Sequence, residues 1–328
     1  MFARQRRIVV TSLMWMLLAP ADAVAGPSEY LLPEDSDNVI GVLTTDFARH
    51  EDTLLDIGRR HGVGYEEIMA ANPGVDPWLP GEGTEILIPA RFVLPDAPRE
   101  GLVVNLPEHR LYYYPPAKKG EPRVVHTYPI SVGKMDWKTP LGLTRVVSKQ
   151  ERPNWYPPES VRLEHEQKGD PLPKVVPPGP DNPLGEHAMR LGIPGGSYLI
   201  HGTNRPAGVG MQVTHGCIRL FPEDIAELFE FVPVNTRVNL IDEPSKVGWH
   251  RGTLYVERHP LLEGAGEAGP DDLGILKQRI AVLAEGRPVD IDWDGVERAF
   301  GQTSGVPAPI SVPNEKRRGV TAASSNDR

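Results

Sequence analysis

The chain of 328 residues contains one cysteine, Cys217. No disulfide can form within it, which removes the usual structural reason for a cysteine in an exported protein. Cys217 is left as a nucleophile, a metal ligand, a buried small apolar residue or an intermolecular partner. Long apolar runs are missing too. The one candidate, residues 8–18, is interrupted by Thr11 and Ser12 and is well short of the ~20 residues that a spanning helix needs. Positive charge is in deficit, with 35 basic residues against 44 acidic ones, and a net charge of −9 disfavours a nucleic-acid partner. No His-Glu-x-x-His pattern occurs and there is no second cysteine, so no metal site is expected. No internal repeat is visible. Proline, by contrast, is abundant at 35 residues, about twice the ordinary ~5 % usage. Short strands with rigid, extended connections are therefore expected rather than long helices.

The start of the chain has the layout of a secretory signal. Arg4, Arg6 and Arg7 precede the apolar run, and small residues follow at Ala21-Asp22-Ala23 and Ala23-Val24-Ala25. Residues 1–25 are read as a signal peptide cut after Ala23 or Ala25. A lipid anchor would need a cysteine at the new N-terminus, so the mature chain is expected to be soluble, with no integral membrane span.

Residues 39–90 read as strand, helix, helix, strand. Helical spacing of apolar residues runs over 52–62 and ends at Gly62, a second helix fits 65–71 before Asn72-Pro73-Gly74, and residues 83–89 suit a short strand. From about Gly101 the pattern turns to β. A hairpin is expected from 102–106 and 110–114, with further strands at 124–132, 142–148, 197–200 and 237–240. One helix is expected from Pro222, where proline and two acids fill the first turn. Between the strands lies a proline-rich insertion, 153–194, long enough to be a lid or binding loop, with Trp155, Tyr156 and Met189 as apolar surface. A C-terminal helical extension over 250–302 would carry helices at 271–284 and 292–300, and 303–328 has the composition of a disordered tail.

The chemistry gathers around Thr214-His215-Gly216-Cys217-Ile218-Arg219, downstream of Ile200-His201-Gly202-Thr203-Asn204. A thiol becomes a useful nucleophile when an imidazole acts as its base or cationic partner. His201 follows an apolar strand and is the favoured base, leaving His215 as a secondary charge or substrate contact. Gly216 lets a substrate approach the backbone closely, so that amides beside Cys217 can face a developing oxyanion. Arg219 suits a substrate carboxylate, or else an ion pair with the helix that follows. Thr214 is either a turn residue or a hydrogen-bond partner of a substrate amide.

At these residues the chain resembles the YkuD-type L,D-transpeptidases, in which a histidine precedes a Ser/Thr-x-Gly-Cys segment; thiol peptidases of other folds place cysteine before histidine. The resemblance covers about 100–243, and "NWYPPESVR" with "GPDNPLGEHAMRL" is similar to the periplasmic ErfK/YbiS/YcfS/YnhG branch. Residues 39–90 resemble a LysM glycan-binding module, the alternative being a helix pair that only packs on the next domain. The resemblance implies a mainly β fold, a YkuD-type β-sandwich with one supporting helix, preceded by the small βααβ unit and followed by the C-terminal helices. It implies Cys217 as nucleophile and His201 as base, with Gly202 orienting the ring and His215, Gly216 and Cys217 supplying oxyanion amides. Arg219, Thr214, Thr203, Asn204 and Trp155 are the expected substrate contacts. The expected substrate is the tetrapeptide stem of peptidoglycan, the acceptor a second stem, an outer-membrane lipoprotein or other protein, or water; no cofactor is implied. A hydrolase of the same fold and a non-catalytic peptidoglycan-binding protein are the alternatives.

Overall fold

The computed structural model describes residues 28–33, 37–134, 137–266 and 270–314. The expected signal peptide and the tail from 315 onward lie outside the described residues.

One mixed sheet of nine strands organises the chain. Its order is Ser28–Leu31, Val124–Pro129, Arg110–Tyr114, Gly101–Asn105, Arg237–Ile241, Gly142–Glu151, His187–Leu191, Leu199–His201 and Ile218–Arg219. The expected hairpin pairs Leu102 with Tyr113. Two neighbour pairs are parallel, Gly101–Asn105 with Arg237–Ile241 and Leu199–His201 with Ile218–Arg219. Side chains alternate across a strand, so Leu102, Val104 and Tyr113 enter one core while Val103, Tyr112 and Tyr114 enter another on the opposite face. The first core also contains Met189, Leu191, Ile200 and Ile218 from the far end of the sheet. Strands so far apart in the order share a core because the sheet curls on itself. The Pro222–Phe231 helix closes it, burying Ile225, Leu228 and Phe229, each worth about 1.5–3 kcal/mol.

The N-terminal unit has the expected βααβ order, with Thr44–Phe47 antiparallel to Glu85–Ile88 and helices Leu54–Arg60 and Tyr65–Ala71 between them. A capping box, Thr53 with Asp56, starts the first helix. This unit is fixed to the sheet. Arg59 reaches Glu223 with two hydrogen bonds of 2.7 and 2.8 Å, and buried Arg110 reaches Glu67 likewise. The amides of Tyr65 and Glu66 donate to the carbonyls of Val209 and Gly210, in the loop that leads to Cys217.

Two expectations need correction. The insertion at 153–194 is not one excursion, because His187–Leu191 is an inner strand with Ala188, Met189 and Leu191 buried. The part before that strand also carries a helix, Glu159–Gln167, and Asn182 ties it down by donating to the Pro153 carbonyl while accepting from the Leu184 amide. Secondly, the C-terminal region is not purely helical, and order runs past residue 303. A hairpin, Ser245–His250 with Thr253–Arg258, precedes the helices Pro270–Ala284 and Trp293–Gln302. Ala308–Pro309 and Ser311–Pro313 then pair with Thr253–Arg258 and Val289–Ile291. Buried Ile310 joins Trp249, Leu254, Ile280 and Val296 in a separate core, which is what orders this segment.

Candidate active site

The curled end of the sheet sets out the site in rungs. Gln150 pairs with Ala188 and Ala188 with His201; His201 in turn pairs with Arg219. The next rung holds Ser148, Arg190 and Leu199, and Cys217 stands just before Ile218, the partner of Ile200. These side chains line a cavity of about 340 Å³ whose other wall is the insertion, with Trp155 and Tyr156.

His201 ends its strand 4 % exposed, and its Nδ1 lies 2.6 Å from the Gly202 carbonyl. A carbonyl only accepts, so Nδ1 carries the proton of the neutral ring and Nε2 keeps its lone pair. Burial, reinforced by the charge of Arg219, holds the His201 pKa down at about 3, with the Gly202 and Leu184 carbonyls opposing in part. The Cys217 thiol contacts the Ser197 carbonyl at 3.7 Å. Burial pushes its pKa above the ordinary value, although a backbone hydrogen bond at Leu199 and the Arg219 charge pull the other way. The resting pair is thus a neutral thiol with a neutral imidazole.

The cysteine loop is tightly pinned. Thr214 Oγ1 donates to the Cys217 carbonyl at 2.6 Å, and Thr139 Oγ1 donates to the Gly216 carbonyl at 3.1 Å. Gly216 has φ +93°, a value costly for any residue with a Cβ, and a Cβ there would stand 3.2 Å from the Tyr198 ring. The Gly216–Cys217 peptide is trans, so with its carbonyl held by Thr139 its N–H points the opposite way. That N–H makes no backbone hydrogen bond among the described residues.

His215 lines the cavity, stacks edge-on against Trp137, and places Nε2 3.1 Å from Glu164 of the insertion helix. Lys168 and His215 together hold the Glu164 carboxyl down at about 2, with Lys134 adding to them. Arg219 is largely enclosed and has no carboxylate partner among the described residues, its Nε making no hydrogen bond. Burial lowers its pKa from the usual value, which still leaves a cation at neutral pH. Of the expected substrate contacts, Arg219, Thr214 and Trp155 line the cavity while Thr203 and Asn204 do not. Thr203 Oγ1 accepts from the Arg205 amide and Asn204 donates to the Pro180 carbonyl. Sequence reasoning passed over Arg190, Ser148, Gln150 and Glu164. The first three follow only from the register of two strands, one of them unexpected.

A second groove of about 250 Å³ lies at the junction with the βααβ unit, between Tyr65 and Trp78 on one side and Pro206 and Phe221 on the other. The nearest approach to a metal-ligand set among the described residues is Glu108, Glu257 and His259. The Lys246 ammonium already occupies that cluster, 2.5 Å from Glu108 and 2.6 Å from Glu257, so the chain supplies its own cation.

The YkuD family, described as the L,D-transpeptidase catalytic domain, matches residues 99–240. The sequence is 42 % identical over 259 residues to the probable L,D-transpeptidase YcfS of Escherichia coli K12, covering 76 % of this chain and 80 % of that one. It is 39 % identical over 308 residues to the probable L,D-transpeptidase YbiS of the same organism, covering 90 % and 98 %. The probable L,D-transpeptidase ErfK/SrfK of that organism is 36 % identical over 311 residues, covering 93 % and 97 %.

Proposed function

This chain belongs to the L,D-transpeptidase family, and from that premise we propose that it is a periplasmic enzyme that remodels peptidoglycan through a Cys217 thioester. The observation that carries the reading is the shared cavity of Cys217 and His201, with Nδ1 of the ring tied to Gly202 and Nε2 left to take a proton.

Cys217 Sγ attacks the carbonyl of the third residue of a tetrapeptide stem, diaminopimelate, as its proton passes to His201 Nε2. The oxyanion is met by the Cys217 amide, which Thr139 aims by holding the Gly216 carbonyl. Collapse breaks the amide bond, the His201 proton goes to the leaving D-alanine nitrogen, and a thioester remains. An acceptor amine then adds to the thioester carbonyl, gives its proton to His201 and expels the thiolate, which is reprotonated from the ring. Arg219 receives the terminal carboxylate of the donor, since it is a largely enclosed cation without a carboxylate partner among the described residues. A diaminopimelate amine as acceptor gives a 3→3 crosslink, a lysine of an outer-membrane protein gives a tether, and water gives hydrolysis.

Export through residues 1–25 fits this substrate, and no helix among the described residues is long and apolar enough to cross a membrane. The βααβ unit acts as a LysM-like hold on glycan, its groove flanked by Tyr65 and Trp78. Trp78→Ala should weaken sacculus pull-down while leaving reaction on soluble stems; unchanged pull-down ends that idea.

The primary test is incubation with a disaccharide-tetrapeptide and mass spectrometry of the products. A dimer that has lost D-alanine is expected from the wild type and none from Cys217→Ala. Tripeptide alone would point to hydrolysis or to a missing protein acceptor. Unchanged substrate in every condition would leave the binding-protein alternative.

A further inference from the structure

The cavity holds a second cation that the steps above do not use. Arg190 lies in the His187–Leu191 strand, where Met189 and Leu191 turn into the core and Ala188 and Arg190 turn into the cavity. Its guanidinium makes no ion pair or hydrogen bond among the described residues, and the residue is solvent-exposed at the cavity wall. Among the described residues, none that lines the cavity is acidic, although the chain carries 44 acidic residues and a net charge of −9. Two guanidiniums without a carboxylate partner among the described residues face this lining, and the nearby Glu164 carboxylate is already taken by His215, Lys134 and Lys168, so the site suits an anion with at least two charges.

The register fixes where the second charge would fall. Arg190 pairs with Leu199, and Cys217 immediately precedes Ile218, the partner of Ile200 in the following strand. Two strand spacings separate the Arg190 backbone from the nucleophile, roughly 10 Å. A peptide advances at most ~3.3–3.6 Å per residue. With Arg219, paired directly with His201, given the terminal carboxylate that follows the scissile bond, Arg190 is left to the residues before the scissile carbonyl.

We propose that Arg190 is a specificity-determining residue, which reads a free carboxylate on the donor stem one or two residues before the scissile bond. This rests on the transpeptidase reading. The carboxylate has two sources in such a stem, the side chain of the third residue and the α-carboxylate of the second. Either forms a charge-assisted pair with the guanidinium fork, and converting it to a carboxamide removes the charge while keeping the shape.

The experiment compares three tetrapeptide stems: one with both carboxylates free, one amidated at the third residue's side chain, and one amidated at the second residue. Their dissociation constants are measured on the Cys217→Ala protein, alone and combined with Arg190→Gln or Arg190→Lys. Turnover is followed separately in proteins that retain Cys217. Amidation at one of the two positions should weaken binding by about tenfold to a hundredfold, the size of a charge-assisted hydrogen bond. Arg190→Gln should weaken binding of the free stem by a similar factor and erase its preference over that amide, and Arg190→Lys should restore part of it. The position whose amidation shows coupling to Arg190 names the carboxylate. Equal weakening of all three stems by Arg190→Gln, or no weakening of any, overturns the proposal. Arg190-dependent discrimination in binding without turnover by the Cys217 protein would sink the transpeptidase reading instead, so the two failures are distinguishable.

Discussion

The Lys246 network and the Cys217 cavity are two buried polar clusters built on opposite rules. At the junction with the C-terminal unit, Lys246 is fully enclosed and bonds Glu108 and Glu257, while Glu257 also bonds His259 and the Val93 amide and Glu108 bonds Tyr112. Burial alone would lower the Lys246 ammonium and raise the Glu257 carboxyl. The partners outweigh it, so the lysine stands above its ordinary value and the glutamate below. At the cavity, burial wins: His201 is held down, the Cys217 thiol is held up, and Arg219 has no counterion among the described residues. A complete network has nothing left to offer a ligand, and its value is structural. An incomplete one that faces a cavity keeps its unused valences for substrate.

The largest effects should separate the two clusters cleanly. Cys217→Ala should reduce turnover on the order of 10⁴-fold or more, with a melting temperature near that of the wild type. Loss of folding in that variant would mean the thiol is core after all. Lys246→Met should do the reverse. It leaves Glu108 and Glu257 as buried acids without their cation, and should cost about 3–5 kcal/mol in a denaturant titration, with kcat/KM retained under conditions where the protein is folded. If instead Lys246→Met proved nearly neutral in stability, the network would not be the clamp between the two units that its geometry describes.

Acid sharpens the comparison further. In the unfolded chain His201 takes a proton near pH 6.5, but in the folded protein only near pH 3. Between these values the folded state binds fewer protons, so stability should fall as pH drops from about 6.5 towards 3, with a slope of at most ~1.4 kcal/mol per pH unit from this group. His201→Gln should lose that component. Because the base is neutral throughout this window, the acylation rate of the native protein should show no acid limb near pH 6.5. Alkylation of Cys217 by iodoacetamide should be slow at neutral pH and should keep climbing with pH beyond the range where an ordinary thiol levels off, following its raised pKa. An acylation limb at pH 6–7, or rapid alkylation at pH 7, would show a thiolate–imidazolium pair at rest and break the contrast with the saturated network.

Much of this architecture is legible in the sequence. The Gly101–Asn105 and Arg110–Tyr114 hairpin, the Pro222–Phe231 helix and the βααβ order rest on local signals: apolar periodicity, a proline-led acidic first turn and glycine or proline stops. The expected pair, Cys217 and His201, does line one cavity. The unread parts depend on distant partners. His187–Leu191 is an inner strand only because Gly142–Glu151 and Leu199–His201 flank it, and its short apolar pattern sits between proline-rich segments that argue for loop. The C-terminal hairpin turns at Arg251 and Gly252, both at positive φ, without the Asn-Gly or Asp-Gly pair that usually announces such a turn. Ala308–Pro309 and Ser311–Pro313 gain their order from the core they complete around Ile310, which no local window contains. The same limit hid Arg190 and Glu164. Each is an ordinary charged residue in sequence, and only the register or a tertiary contact puts it at the site.

Glu164 gives the smallest expected effect and tests the boundary between the two kinds of cluster. It lies on the insertion helix, partly exposed, and links His215 beside the nucleophile to Lys134 and Lys168. Unlike Glu108, it is not enclosed, so water and salt compete for every contact it makes. Its contribution should be to keep the insertion seated over the cavity rather than to stabilise the fold. Glu164→Gln keeps a hydrogen-bonding side chain but loses the charge that Lys134, Lys168 and His215 share. The variant should change kcat/KM by about two- to fivefold with no resolvable shift in melting temperature, and moderate salt should bring the wild type towards the variant's value. A salt-independent loss as large as that of a removed catalytic group would place Glu164 in the chemistry itself. Lack of any change, at low and high salt alike, would mean that the insertion is held by Asn182 and its apolar contacts, with the Glu164–His215 pair making no contribution.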